Sequence, residues 1–338
     1  MRPCLPTKQN TAQMPEGKKH RTETLSPSVT VEDAPVYPIS SSDVSTYERQ
    51  YVHDVYSAIA DHFSGTRYKA WPRVGAFLEA LPPFSLIADM GCGNGKYFAA
   101  AQRLAVGAPP SSASEDDGVH LKEQPQQLSS STVPAHRYTL GLDYSEELLR
   151  STQRSLLDPN MHHEQARSHH RSKRARKLSD DIVTPVSTEV MPRTDTVRSD
   201  ALHSPLRSGL FDAAISIAVI HHYASHERRV RAVRELLRIV RQQGGLVLIY
   251  VWAREQTGRA KRLVDPGTGD SLVRWESNQK YEEVKRVFHR YYHLFAEGEL
   301  EQLCKAAAVG EGGADAIPVV IKASYFDKEN WCVILQRK

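Results

Sequence analysis

The sequence predicts an α/β protein with a doubly wound, mostly parallel sheet. Short apolar runs at Leu86–Asp89, Tyr138–Asp143, Phe211–Ile217 and Leu246–Trp252 have the length and composition of buried strands. Segments of helical period lie between them, and strand alternating with helix is the pattern of a parallel sheet covered on both faces. The first strand runs directly into a turn holding three glycines, Gly91-Cys92-Gly93-Asn94-Gly95, which opens a helix. In such a sheet a turn of this kind lies at the carboxyl end of a central strand, where ligands bind.

In chain order, residues 1–45 come first, with 6 Pro and 11 Ser/Thr and no hydrophobic period, and they read as disordered. Ser45-Thr46-Tyr47-Glu48 has the form of a capping box. Tyr47, Tyr51, Val52, Val55, Tyr56, Ile59 and Phe63 then recur at helical spacing. Pro72 suits the first turn of a short helix that buries Val74, Phe77 and Leu78. Past the glycine turn, a helix carries Tyr97, Phe98, Ala101 and Leu104. Residues 105–135, with 10 Ser and Pro among 31, read as a disordered surface insertion. Ser145 caps a helix bearing Leu148 and Leu149, and residues 157–193 form a second insertion. Within that insertion, six of the eleven residues from Arg167 to Lys177 are Lys or Arg. The most regular helix runs from about Glu227 to Arg241 and is stopped by Gly244-Gly245. The strand expected between Val183 and Asp200 has no clear position. A single domain over 46–338, interrupted by the two insertions, accounts for the 40% apolar content, which is low for a wholly compact chain.

Composition narrows the function. The net charge of +4 does not by itself argue for nucleic acid. The four cysteines, Cys4, Cys92, Cys304 and Cys332, lie far apart and form no CxxC pair, so neither a disulfide framework nor a cysteine zinc site is expected. There is no apolar run long enough to span a membrane and no apolar leader, so a cytoplasmic protein is expected, with nuclear import through the Arg167–Lys177 stretch as a further possibility.

The glycine turn carries the chemistry. A dinucleotide loop would read G-x-G-x-x-G and hold a pyrophosphate. Here one residue separates successive glycines and Asp89 precedes the first, where it would repel phosphate and attract a cationic amino-acid group. Asp89-x-Gly91-Cys92-Gly93-Asn94-Gly95 therefore points to S-adenosylmethionine (SAM). Asp143 ends the second strand, where an acid bonds ribose hydroxyls. It lies 54 residues beyond Asp89, and removing the 31-residue insertion leaves 23, close to the usual separation of about 20. Asp200-Ala201 is a candidate adenine contact, and Tyr144 and Ala218 complete the expected cofactor set.

Several stretches resemble one family. Tyr51-Val52-His53-x-Val55-Tyr56, Arg67-Tyr68-Lys69-x-Trp71-Pro72-Arg73-Val74, Ala88-Asp89 through Lys96-Tyr97, Ser216 through His222 and Arg290-Tyr291-Tyr292-His293-Leu294-Phe295 are similar to the eukaryotic tRNA wobble-uridine (5-carboxymethyluridine) carboxyl methyltransferases. The same module is the methyltransferase domain of AlkB-type tRNA methyltransferases. The resemblance covers about 46–104, 137–156 and 199–338. It departs at Ala70 and at Arg274, where the family has proline, and in the two insertions, which are not typical of it.

The resemblance implies a class I SAM-dependent methyltransferase fold and methyl transfer to the carboxylate of 5-carboxymethyluridine in the tRNA anticodon loop. It also implies a small zinc-binding activator protein as partner. A carboxylate is ionised at neutral pH and needs no base, so a cation must orient it. Arg67 suits that grip. His221 and His222 follow the fourth strand and face the crevice; one is expected to bond substrate and the other to brace the loop. With no third ligand nearby, no metal site is expected. Tyr68, Trp71 and Trp275 are candidates to stack on an unpaired base, and the stretch opening at Arg254 to contact tRNA phosphate. The competing readings are a small-molecule SAM methyltransferase and a catalytically silent tRNA- or partner-binding module.

Overall fold

The computed structural model describes residues 43–67, 69–103, 136–157, 193–256, 265–276, 286–310 and 315–338. Apart from edge residues, the predicted disordered segment 1–45 and the insertions at 105–135 and 157–193 lie outside these, as does most of the stretch from Arg254 to Arg262.

The chain enters on helix α1 (Val44–Glu48), passes through one π-helical stretch (Arg49–His53) and continues as α2 (Asp54–Thr66). The capping box does not form. Asp43 is the N-cap and Ser45 lies inside the helix, while the Glu48 carboxylate accepts the Ala224 N–H and pairs with Arg228. A distant cation and amide outcompete the local cap. Helix α3 (Pro72–Glu79) begins on proline as expected and buries Val74 and Leu78.

Strands β1 (Leu86–Met90), β2 (Tyr138–Asp143), β3 (Thr194–Arg198), β4 (Ala213–Ile217) and β5 (Leu246–Trp252) are all parallel and stand in the order β3-β2-β1-β4-β5. Between them lie the four-residue α4 (Phe98–Ala101), α5 (Glu146–Leu157) and α6 (His226–Ile239). Ser145 caps α5, its hydroxyl accepting the Leu148 N–H at 3.3 Å. Ser225 caps α6 in the same way. Val240 leaves the helix to bridge Phe211, so the predicted strand starts two residues late, at Ala213.

Beyond β5 the chain forms an antiparallel hairpin, β6 (Asp270–Glu276) and β7 (Val287–His293), then α7 (Glu299–Val309), β8 (Val319–Asp327) and β9 (Asn330–Arg337). Strand β9 pairs antiparallel with β5, and β8 closes the seven-stranded sheet. This is the class I SAM-dependent methyltransferase architecture. Alternate residues of each central strand face opposite layers: Ala88 and Met90 pack with Val233, Leu237 and Leu303, while Ile87 packs with Val74, Leu78 and Ala100. Both faces are covered, which is why these strands read as unbroken apolar runs.

Candidate active site

The carboxyl ends of β1, β2 and β4, with α2 and the residues after it, enclose a cavity of about 670 Å³. Gly91 at the end of β1 has φ +83°, and a Cβ there would stand 2.3 Å from Val219, so only glycine lets the turn pass this close to the loop after β4. Gly95 is glycine for packing: its Cβ would meet Thr152 and Phe98. Ala218, opposite the turn, holds a left-handed φ of 63°, a strained conformation typical of functional loops.

One wall is acidic. The Asp143 carboxylate accepts the Gly93 N–H at 2.8 Å and the Ser145 N–H at 2.9 Å. The Tyr144 amide also bears on this carboxylate, so most of its acceptor positions are already used. Asp200 accepts the Leu202 N–H at 2.8 Å, and Ala201 follows it on the cavity wall. His53 stacks on Tyr144 with centroids 3.8 Å apart. Asp89 lies just beneath the turn, 1% exposed, and its Oδ2 has no hydrogen-bond partner among the described residues. Burial, reinforced by Asp143 and opposed by Lys96, pushes its pKa up to about 7. A buried carboxylate oxygen without a partner fits a ligand that brings a positive charge. The acceptor position left on Asp143 fits a hydroxyl donor. The residues present therefore fit SAM, which Asp89, Asp143, Asp200 and the main chain of Gly91, Cys92, Gly93 and Asn94 would hold.

The facing wall is cationic and aromatic. Arg67 lies over the Phe63 ring at 4.5 Å, and no carboxylate is paired with it among the described residues. Lys96 sits 4.9 Å from the Trp71 ring and 4.8 Å from that of Tyr97; burial lowers its pKa to about 8, against the pull of Asp89. Lys69 and Lys328 also reach the cavity. Tyr292 stacks on Trp252 with centroids 4.0 Å apart and planes 2° from parallel.

The two histidines behave differently. His221 Nδ1 accepts the Trp252 N–H at 3.0 Å, so its proton is on Nε2. His222 donates from Nδ1 to the Tyr291 carbonyl at 2.8 Å, and its Nε2 accepts the Tyr56 hydroxyl at 3.0 Å. Burial lowers its pKa to about 3. His222 is thus neutral and fully committed as a brace.

Thirteen of the residues expected from sequence line this cavity: Arg67, Trp71, Gly91, Cys92, Gly93, Asn94, Asp143, Tyr144, Asp200, Ala201, Ala218, His221 and His222. Asp89 and Gly95 stand next to the lining residues. Two of the expected substrate contacts are not among the lining residues. Trp275 packs with Val55 and Ile59 in a small core beneath α2 instead of facing the cavity. Arg254 is held by the Leu294 carbonyl at 2.9 Å, with Glu299 at 3.9 Å, and braces the loop after β7. Tyr68 lies outside the described residues. Of the two departures, Ala70 lines the cavity and Arg274 pairs with Glu276 on β6, away from it. Sequence reasoning gave no site role to Tyr56, Lys96, Arg290 or Tyr292, although all four fall inside the quoted stretches. Among the described residues no group of three or more His, Cys, Asp or Glu is arranged to hold a metal.

The strand order, the acid-glycine turn and the acid ending β2 define a methyltransferase. A family model described as a methyltransferase domain matches residues 126–248, from before β2 into the start of β5. Among curated proteins, the tRNA (carboxymethyluridine(34)-5-O)-methyltransferase of Schizosaccharomyces pombe is 32% identical over 86% of this chain and 98% of its own length. That of Saccharomyces cerevisiae is 27% identical over 86% and 97%. The chain belongs to the tRNA (carboxymethyluridine) methyltransferase family. The Xenopus tropicalis relative, alkbh8, is 32% identical over 87% of this chain, which spans only 42% of that longer protein.

Proposed function

We propose that this chain is a SAM-dependent methyltransferase that esterifies the carboxylate of 5-carboxymethyluridine at the wobble position of the tRNA anticodon. The observation that carries the reading is one cavity divided into an acidic wall and a cationic wall, with no acid paired to Arg67 among the described residues. When bound, SAM supplies a methyl group on a positively charged sulfur. Arg67 grips the substrate carboxylate with paired N–H donors and sets the direction of its oxygens. No residue needs to take a proton, because a carboxylate with a pKa near 4 is ionised at neutral pH. His222 stays neutral and fixes Tyr56, so it neither protonates the nucleophile nor competes for it. Phe63, Trp71, Trp252 and Tyr292 exclude water from the oxygen that must react. The partly exposed face of Trp71 would stack on the unpaired base.

The proposal includes the tRNA anticodon loop as substrate, which the names of the yeast relatives support. It also includes a small zinc-binding activator protein as partner, which rests on the family resemblance. Cytoplasmic residence, with a nuclear pool through Arg167–Lys177, belongs to the same reading; imaging a tagged chain tests it. The activity test uses the purified chain with its activator, SAM labelled in the methyl group, and tRNA carrying 5-carboxymethyluridine. The expected product is an alkali-labile methyl ester at the wobble base. Equal labelling of unmodified tRNA, or of free carboxylic acids without tRNA, would overturn the reading in favour of a small-molecule enzyme.

A further inference from the structure

Arg290 on β7 is 4% exposed, and no carboxylate pairs with it among the described residues. Its Nε is buried with no hydrogen-bond partner among them. Its guanidinium lies 5.3 Å from the Tyr292 ring and 5.9 Å from the Tyr56 ring, and Nη1 donates to the Tyr56 hydroxyl at 3.5 Å. Other arginines of this fold are treated differently. Arg137, fully buried, donates to five main-chain carbonyls. Arg228 pairs with Glu48 at 2.6 Å and Arg238 with Glu235 at 2.7 Å.

Arg290 also stands near a second cation. Arg67, whose guanidinium lies on the Phe63 ring that in turn meets the Tyr56 ring edge-on, feels the charge of Arg290, and the polar groups both feel are the hydroxyls of Tyr56 and Tyr292. The direction of those hydroxyls is fixed. His222 Nε2 can only accept, so Tyr56 donates to it. The Tyr56 oxygen must then accept, from the Tyr292 hydroxyl at 3.2 Å and from Arg290. Arg290 thus charges a chain of hydroxyls that lines the cavity beside Arg67. A guanidinium does not lose its proton, and burying two of them near one another without an anion is costly. An anion arriving from solution removes that cost.

We propose that Arg290, acting through Tyr56 and beside Arg67, is the specificity-determining charge of the substrate recess, making it an anion receptor that admits a carboxylate and rejects the neutral carboxamide. The inference rests on the proposed function only for the identity of that anion. It is separable from a structural role, because removing an uncompensated charge relieves a burial penalty where removing a structural arginine breaks bonds. Methionine fills the same space between two tyrosine rings without the charge.

The test uses the full chain with its activator, as wild type, Arg290→Met and Arg290→Lys. In one arm, thermal unfolding is followed with added acetate or acetamide, which differ in charge at nearly equal size. Acetate should stabilise wild type more than acetamide does, and Arg290→Met should lose that difference while its own melting temperature stays level or rises. In the second arm, Arg290→Met should raise KM for the carboxymethyl tRNA about tenfold, a factor worth about 1.4 kcal/mol. In that variant kcat and SAM affinity should change little, and Arg290→Lys should recover most of the loss. Failure of Arg290→Met to fold, a fall of several degrees in its melting temperature, or equal acetate stabilisation in the variant would mark Arg290 as structural and overturn the inference. If wild type transfers no methyl group, the proposed function fails and the acetate arm still decides the role of Arg290.

Discussion

The two walls of the cavity are built by different means. On the acidic wall two side chains are wired to the backbone, Asp143 to the Gly93 and Ser145 amides and Asp200 to the Leu202 amide, with the buried Asp89 beneath them. On the cationic wall the charges rest on rings, Arg67 on Phe63, Lys96 on Trp71 and Arg290 on Tyr292. A wall fixed by main-chain N–H groups is pre-organised for a ligand whose shape does not change. Cations lying on ring faces keep N–H groups directed elsewhere, available to an anion that comes and goes with each turnover. The first arrangement suits a cofactor and the second a substrate.

Truncating one residue on each wall tests this division. Arg67→Ala should produce the largest effect, a fall in turnover of about a hundredfold, since a charged hydrogen bond contributes roughly 1.5–3 kcal/mol and a paired grip more than one of them. SAM affinity should stay within about twofold, which calorimetry would check. Loss of SAM binding in that variant would move Arg67 to the other wall.

The acidic wall should answer in the opposite sense. Asp89→Asn and Asp143→Ala should each weaken SAM binding by about tenfold, the loss of a charged acceptor. Their effects on the ligand-free fold should differ. Asp143→Ala removes the bonds to the Gly93 and Ser145 amides and should lower the melting temperature. Asp89 has a folded pKa of about 7, above its ordinary 3.8, so the fold holds its proton more tightly than the unfolded chain does. Its contribution to stability is therefore greatest below pH 4 and declines as pH rises from about 4 to 7. At pH 8, Asp89→Asn should melt higher than wild type while binding SAM more weakly. A lower melting temperature would mean that the carboxylate is already compensated without ligand.

A smaller effect separates Asp89 from the brace behind the cationic wall. His222 is held neutral, its pKa lowered to about 3 by burial, so the unfolded chain takes up its proton first. Stability from this group is complete above about pH 6.5 and is lost as pH falls toward 3. Across that window Asp89 and His222 oppose each other and partly cancel. In the Asp89→Asn background the His222 slope should emerge, as a urea midpoint that rises between pH 4.5 and 6.5. A flat profile there would show that His222 is not held neutral by the fold.

What could be read from sequence follows the same division. The parallel strands, the glycine turn, Asp89, Asp143 and Asp200 are local: each sits at a fixed step from a strand end, and the main chain does the positioning. Arg67 was legible because the resemblance covers it. Arg290, Tyr56 and Tyr292 were not, because their meeting depends on the β6–β7 hairpin packing against α2, across more than two hundred residues of chain. The same hairpin explains the misreading of Trp275, whose β-strand pairs it with Phe288 and turns it into the small core under α2. Glu48 was misread for a related reason: a capping box is a local pattern, and Arg228 is a better partner than a neighbouring amide.

The smallest effect is expected far from both walls, at the first insertion. Arg137, just after it, donates to the carbonyls of Ala101 and Arg103, just before it, and also to those of Glu79, Leu81 and Pro82. One side chain therefore ties the two ends of the insertion to each other and to the end of α3. None of these bonds uses residues 104–135, and β2 pairs with β1 from Tyr138 onward without them. Deleting residues 107–133 shortens the connection between two ends that are already held together, and the length of a connection alone changes closure entropy slowly, by about 0.6 kcal/mol per doubling. Going from 32 residues to 5 is under three doublings, so the melting temperature should not fall and should rise by no more than about 6 °C, on the scale of roughly 2–4 °C per kcal/mol for a domain of this size. SAM affinity should stay within twofold. Arg137→Ala in the same protein should cost far more, because it leaves buried carbonyls without donors. A deletion that destabilises as much as Arg137→Ala would mean that the insertion packs on the domain and that the staple is not what closes it.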